Sequence, residues 1–266
     1  MYLVFDVGGT NSRVAFSPDG QMIDEPIVWK TGQEFESGIT ELVNNMERAI
    51  GGRQAVAIAG GLPGVVDRTK KMLLKSPHLS GWENKTVGKR IEQKFGVSVK
   101  IENDAAMAAL GEATSGAGRK YGIVAYVTVS TGIGGAVVIH GKLGERTYSF
   151  EPGHQIIDYE GTVGYLEQFA SGTAIEKMYG KKPEEITDES VYEGVERVLT
   201  IGLNNLCVMW SPEVIILGGS ISKSLNPDRI KALLTEQLTI FPKVPDILRA
   251  ELDYKCGLYG ALQLLK

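Results

Sequence analysis

The chain has 266 residues, 43% of them hydrophobic, which is enough apolar material for one large domain or for two core-bearing lobes, and two lobes are expected. Its 28 basic residues face 32 acidic ones for a net charge of −4, without the basic excess that marks a nucleic-acid partner. The two cysteines, Cys207 and Cys256, lie in apolar helical surroundings and exclude a disulfide framework, while the lack of a leader-like start or a long apolar run excludes a membrane span and points to the cytoplasm.

The first stretch, Tyr2 to Phe16, is an apolar run, an acid, two glycines, small polar residues and a second apolar run. It predicts two buried strands joined by a tight hairpin at Gly8 and Gly9. A turn without Cβ atoms can approach a phosphate closely, and successive amides through Thr10 and Asn11 make an anion nest. Asp6, at the strand end, can hold magnesium directly or through water. A plain hairpin explains the same residues when they are taken alone. Ser17-Pro18-Asp19-Gly20 is turn chemistry, and Gln21 to Lys30 reads as a third, more exposed strand. Ile39, Leu42, Val43, Met46 and Ile50 recur at helical spacing over Gln33 to Ile50. Ala55 to Ala59 reads as a short strand, followed by a glycine-rich loop from Gly60 through Gly64 to Asp67.

Val87 to Phe95 predicts a helix and Gly96 to Ile101 a strand leading into Glu102-Asn103-Asp104, ahead of an alanine-rich helix. Asn103 or Asp104 is the natural N-cap of that helix. A carboxylate held ionised by the helix dipole also suits a group that must accept a proton, and the residues alone leave both readings open. The strand, glycine turn, strand pattern returns over Ile123 to Ile139, around Ser130-Thr131-Gly132. Pro152 and Gly153 forbid a regular helix, so Glu151 and His154 converge across a turn. Thr187 is the expected N-cap of a long helix packed by Val191, Val195, Val198, Gly202, Leu203, Leu206 and Met209. Pro212 ends it before a strand over Glu213 to Leu217 and a third glycine turn, Gly218-Gly219-Ser220. A helix over Asn226 to Ile240, a strand over Asp246 to Ala250 and a closing helix from Gly257 complete the chain. The alternation argues an α/β protein with two mixed sheets, and the three glycine turns suggest a nucleotide held from both sides.

Those motifs, DVGGT, STGIGG, LGG and ENDAAMAALGE, resemble the ROK sugar kinases of the actin-like and hexokinase-like ATPase superfamily, over nearly the whole chain. The resemblance implies a two-lobed actin-like ATPase (ribonuclease H-like) fold with mixed central sheets and an interlobe cleft. Residues 1–104 plus 255–266 would form the N-terminal lobe and 105–254 the C-terminal lobe. It implies ATP and Mg2+ as cofactors and transfer of the γ-phosphoryl group to the 6-hydroxyl of a hexose, glucose first. By the same resemblance Asp104 is the base, and Asn103, Glu151, His154 and Glu167 bind the sugar above a floor that includes Gly64. Thr131 and Gly132 join Gly8, Gly9, Thr10 and Asn11 at the phosphates, with Gly218 and Gly219 near the adenosine. With Glu167 placed at the sugar by that resemblance, Glu167→Ala is expected to raise the KM for glucose and leave ATP affinity nearly unchanged.

Two departures from the family pattern stand out. His78 replaces an asparagine of the sPNLxGW stretch, which bears on sugar preference. Asp158, Glu160 and Tyr165 stand where zinc-bearing members have cysteines, so no zinc site is expected, and packing of Tyr159, Tyr165, Leu166 and Phe169 should hold the segment. The alternatives are an N-acetylmannosamine or N-acetylglucosamine kinase, a fructokinase, and a non-catalytic sugar-binding module. A sugar-responsive repressor would need a helix-turn-helix segment ahead of the first strand, where this chain begins. The partner is a small-molecule hexose, and a homodimer is left open.

Overall fold

A computed structural model describes residues 1–69 and 71–266. In chain order the elements are β1 (Tyr2–Val7), β2 (Asn11–Ser17), β3 (Ile27–Lys30), α1 (Phe35–Ile50), β4 (Ala57–Leu62), β5 (Val65–Asp67), β6 (Met72–Lys75), α2 (Val87–Phe95), β7 (Val99–Asn103) and α3 (Asp104–Ser115). There follow β8 (Ile123–Val129), β9 (Ile133–Ile139), β10 (Lys142–Leu143), β11 (Ile156–Tyr159), β12 (Thr162–Tyr165), α4 (Glu167–Ala170), α5 (Gly172–Tyr179), α6 (Glu189–Trp210), β13 (Val214–Gly218), α7 (Pro227–Gln237), β14 (Asp246–Arg249) and α8 (Cys256–Leu264). They fall into two compact units, one of Met1–Ser115, Glu145–Ser149 and Tyr254–Lys266, the other of Gly116–Gly144 and Phe150–Asp253. Among the described residues no helix is long and apolar enough to cross a membrane.

The first unit is built on a sheet of order β3-β2-β1-β4-β7, in which β1, β2 and β3 form an antiparallel meander and β1, β4 and β7 run parallel. Period-two alternation sends Leu3, Phe5 and Val7 into one core with Ile39, Leu42 and Met46 of α1 and Ile91 of α2. Helices α3 and α8 pack together and against β1 and β4. Their close approach needs glycine: a Cβ on Gly260 would enter the Met107 backbone, and one on Gly111 would enter the Cys256 carbonyl. Because β1, β4 and β7 run the same way, their C-terminal ends gather Asp6, Gly61 and Glu102 in one row, with Asn103 one residue beyond, where α3 begins.

The second unit repeats the plan. Its sheet has order β10-β9-β8-β13-β14, again with an antiparallel meander of three followed by parallel strands. Val127, Ile215 and Leu217 pack against Val195, Leu199 and Leu203 of α6 and Ile230 and Leu234 of α7.

Four sequence expectations need correction. The third strand covers only Ile27–Lys30, because the Asp19 carboxylate accepts the N–H groups of Gln21 and Met22 at 2.8 and 2.9 Å and prolongs the turn. Gly60 and Gly61 belong to β4 and not to a loop; a Cβ on Gly60 would overlap the Phe5 ring, so glycine there makes room for packing. The cap of α6 is Asp188, whose carboxylate accepts the Ser190 N–H at 2.9 Å, and not Thr187. Met209 is 64% exposed, since the buried stripe of α6 continues from Leu203 through Cys207 to the partly buried Trp210.

Candidate active site

The hairpin between β1 and β2 turns at Gly8-Gly9-Thr10, with the Gly8 N–H donating to the Asn11 carbonyl at 3.0 Å. Its three carbonyls are all bound by the segment after β3. The Thr31 hydroxyl donates to Gly8 O at 2.7 Å, the Gln33 amide to Gly9 O at 3.0 Å, and the Thr31 N–H to Thr10 O at 3.0 Å. In a trans peptide the N–H lies opposite the carbonyl, so the amides of Gly9, Thr10 and Asn11 face away from that support, as a nest requires. Thr31 and Gln33 were not visible as functional residues in the sequence, because a threonine and a glutamine between strand and helix carry no motif. His78 lies against this turn: a Cβ on Gly9 would come 2.7 Å from the His78 Cβ. The departure at His78 therefore touches the first glycine turn as well as the SPHLSGW loop.

Asp6, one residue before the end of β1, pairs across the hairpin with Arg13, the Nη1 to Oδ2 distance being 3.1 Å. Burial pushes the Asp6 carboxyl up from its ordinary value, and the Arg13 charge and hydrogen bond partly offset this. Glycines flank the carboxylate. A Cβ on Gly61 would sit 3.2 Å from Oδ1, and one on Gly257 would sit 3.0 Å from Cγ. Asp6 thus offers hard oxygen donors of the kind magnesium takes, beside the amide nest and with glycine in place of a side chain on both flanks.

Asn103 is buried and caps α3, its Oδ1 accepting the Ala106 N–H at 2.9 Å. Its Nδ2 donates to Gly64 O at 3.0 Å and to Asp104 Oδ1 at 3.2 Å. Asp104, the first residue of α3, also accepts the Ala105 N–H at 2.8 Å on the same oxygen. Of the two residues that could cap the helix, Asn103 does so, and it also orients the carboxylate of its neighbour. The loop at Gly64, whose φ of 109° favours glycine, is tied to the acid through that one amide.

Behind this pair lies a charged cluster the sequence did not reveal. Glu102 is buried, with Arg146 Nη2 at 3.0 Å and Arg68 Nη1 at 3.3 Å from its Oε2, while its Oε1 accepts the Asn103 N–H at 2.8 Å. Arg68 also donates to the Arg146 and Thr147 carbonyls. Burial and the Arg68 charge lower the Arg146 guanidinium, and Glu102 raises it. Arg146 is 43 positions beyond Asn103, so no local pattern pairs them.

In the second unit the turn after β8 has the same logic with different supports. The Ser130 carbonyl accepts the Gly172 N–H at 2.7 Å, and the Thr131 carbonyl accepts the Thr173 N–H at 3.2 Å and hydroxyl at 2.8 Å. The amides of Thr131 and Gly132 consequently face away from the start of α5. The third glycine turn packs beside it: a Cβ on Gly218 would overlap the Tyr126 hydroxyl, and one on Gly219 would meet Val129 O and Thr128 Oγ1. The Ser130 and Ser220 hydroxyls lie 3.2 Å apart.

Glu151, His154 and Glu167 come together next to that turn. His154 Nδ1 is 3.9 Å from Glu151 Oε2 and its Nε2 is 3.8 Å from Glu167 Oε1. Burial raises the Glu151 carboxyl, His154 opposes this, and Glu167 adds to it. Among the described residues no three His, Cys, Asp or Glu side chains are placed to hold a metal. Asp158 and Tyr165 lie in the β11–β12 hairpin and Glu160 in its turn; Tyr159 packs on Phe169 at 6.1 Å between rings, Tyr165 on His154 at 5.1 Å, and Leu166 is buried. The sequence-predicted residues thus form two groups, Asp6, Gly8 to Asn11, Gly64, Asn103 and Asp104 in one unit, and Thr131, Gly132, Glu151, His154, Glu167, Gly218 and Gly219 in the other.

A family model described as ROK matches residues 2–266. A ROK hexokinase from Thermus thermophilus superposes with a TM-score of 0.83 at 30% identity, covering 98% of this chain and 97% of that one. A ROK family glucokinase from Streptomyces griseus, solved with glucose and AMPPNP, gives a TM-score of 0.83 at 26% identity over 99% and 98% of the two chains. An N-acetyl-D-glucosamine kinase from Histophilus somni is 28% identical over 99% of this chain and 98% of its own. The fold is the α/β fold with mixed sheets of the actin-like ATPases.

Proposed function

This chain belongs to the ROK family, and from that premise we propose that it is an ATP-dependent hexose kinase that phosphorylates glucose at its 6-hydroxyl. The observation that carries this reading is Asp104. Its carboxylate stands at the first position of α3, oriented by Asn103, at the strand ends that also carry Asp6 and the first amide nest. In the reaction Asp104 accepts the proton of the attacking hydroxyl and aims its oxygen. The amides of Gly9, Thr10 and Asn11 and those of Thr131 and Gly132 take phosphate oxygens. Asp6 would hold magnesium, which neutralises phosphate charge when bound. Phosphoryl transfer asks a protein for positioning and charge stabilisation, and these residues supply both.

Glu151, His154 and Glu167 hold the anomeric, 2- and 3-hydroxyl side of the ring, and Asn103 and Asp104 the 4- and 6-hydroxyl side. A site built to hydrogen-bond a hydroxyl leaves buried polar groups unpaired when that hydroxyl is inverted. Glucose is therefore expected to show higher kcat/KM than galactose. A second reading, an N-acetylhexosamine kinase, is supported by the relative named N-acetyl-D-glucosamine kinase. A mixed-substrate assay decides between them. Glucose should outcompete N-acetylmannosamine and N-acetylglucosamine, and the reverse order would transfer the assignment to the amino sugars.

A further inference from the structure

The two carboxylate oxygens of Glu167 face different partners. Oε2 accepts the N–H of Ile133, the residue that leaves the second glycine turn, at 3.2 Å. A Cβ on Gly132 or on Gly153 would come 3.0 Å from this same oxygen, so both glycines keep room for it. Oε1 is the oxygen 3.8 Å from His154 Nε2. Five and six residues further along, Gly172 and Thr173 bind the carbonyls of Ser130 and Thr131. The backbone of residues 130–133 is thus held by one short stretch, Glu167 to Thr173, with the helix start on its carbonyls and the Glu167 side chain on its exit amide.

We propose that Glu167 is a positioning residue for the second phosphate turn, in addition to its place beside the sugar, and so sets nucleotide affinity even when no sugar is bound. This rests on the kinase reading for what the turn binds. The physical argument is local. The turn presents the amides of Thr131 and Gly132 only while the peptide planes around them are fixed, and two of those planes are fixed by α5. The plane between Gly132 and Ile133 is the one whose N–H Glu167 takes. A charge-assisted hydrogen bond of this kind contributes more than a neutral one, and its loss leaves the plane next to the phosphate amides held only through the Gly132 carbonyl, which accepts the Ser130 N–H at 2.9 Å. The expectation that truncating Glu167 would spare ATP affinity is accordingly replaced by its opposite.

The test is titration calorimetry of the full chain with AMPPNP and Mg2+, without sugar, on the wild type and on Glu167→Ala, Glu167→Asp, Glu167→Gln and His154→Ala. Glu167→Ala, and Glu167→Asp, which keeps the charge but is one methylene too short, should bind AMPPNP about fivefold or more weakly. Glu167→Gln keeps an oxygen acceptor for the Ile133 N–H without the charge and should weaken binding less than Glu167→Ala does. His154→Ala should raise the sugar KM and leave sugar-free AMPPNP affinity unchanged, separating the sugar side of the cluster from the turn. Wild-type affinity in Glu167→Ala or Glu167→Asp would overturn the inference while leaving the kinase reading intact. A wild type that binds no AMPPNP would overturn both.

Discussion

The two units share a strand order and differ in what they place on it. In each, a strand, glycine turn, strand unit opens an antiparallel meander, and a Gly-Gly pair lies near the C-terminal end of the fourth strand in the sheet, Gly60-Gly61 just before the last residue of β4 and Gly218-Gly219 across the end of β13. In the register of the sheets Asp6 stands opposite Gly61, and its counterpart opposite Gly218 is Thr128. The fifth strand of the first unit ends in Asn103 followed by Asp104; that of the second ends in Arg249, whose guanidinium is spent on the Leu225 carbonyl. The supports differ too, with Thr31 and Gln33 behind the first turn and a helix start plus a carboxylate behind the second. A repeated scaffold therefore supplies outward-facing amides twice, while at these matched strand ends the acids, Asp6 and Asp104, belong to the first unit.

If that division is correct, the largest loss belongs to Asp104. Asp104→Asn should lower kcat by about 10² to 10⁴, the range for removal of a general base. Sugar binding, read by calorimetry, should survive, because the amide keeps the shape. Arg249→Lys, at the matching strand end, should leave kcat unchanged. Next in size is the charged cluster behind Asp104, which has no counterpart in this comparison. Arg146→Ala removes one of the two cations on the buried Glu102, and breaking such a pair costs about 3 kcal/mol, readable as a lowered urea midpoint.

The two sets of turn supports can be compared directly. Thr31→Val and Thr173→Val each remove a hydroxyl from a turn carbonyl, at Gly8 and Thr131, and each should cost about 1 kcal/mol, or roughly fivefold in the KM for ATP. An effect from only one would break the symmetry between the turns. The smallest expected effect is on pH dependence. Burial raises the Glu151 carboxyl, so the ionised form, which in the proposed function accepts from sugar hydroxyls, is lost on acidification earlier than for an ordinary glutamate. The sugar KM should rise as pH falls through that raised value, and Glu151→Gln should flatten the profile without altering the one for ATP. For stability the sign is opposite. The folded state holds this proton to higher pH than the unfolded one, so the contribution of Glu151 falls as pH rises through the same window.

Much of this was legible in the chain because turns demand particular residues. The hairpins at Gly8 and Thr131, the helix over Val87–Phe95 and the capped start of α3 follow from glycine, periodicity and an asparagine at a helix N-terminus. What escaped has a common cause in distance along the chain. Gly60 reads as loop until the Phe5 ring is seen to need its space, and Thr31 reads as filler until its hydroxyl is found on Gly8. Arg146 meets Glu102 from a segment between two parts of the other unit. The shared strand order left no tandem repeat in the sequence, because strand pairing accepts many apolar residues and only the turns impose identity.

The central claim, that this chain transfers a phosphoryl group from ATP to a hexose, is tested most directly by incubating the purified protein with ATP, Mg2+ and each of glucose, galactose, fructose, N-acetylmannosamine and N-acetylglucosamine, and identifying the products by 31P NMR. The account predicts hexose 6-phosphate and ADP in equal amounts, with glucose the fastest acceptor and no product without ATP. Failure to phosphorylate any of the five would contradict it.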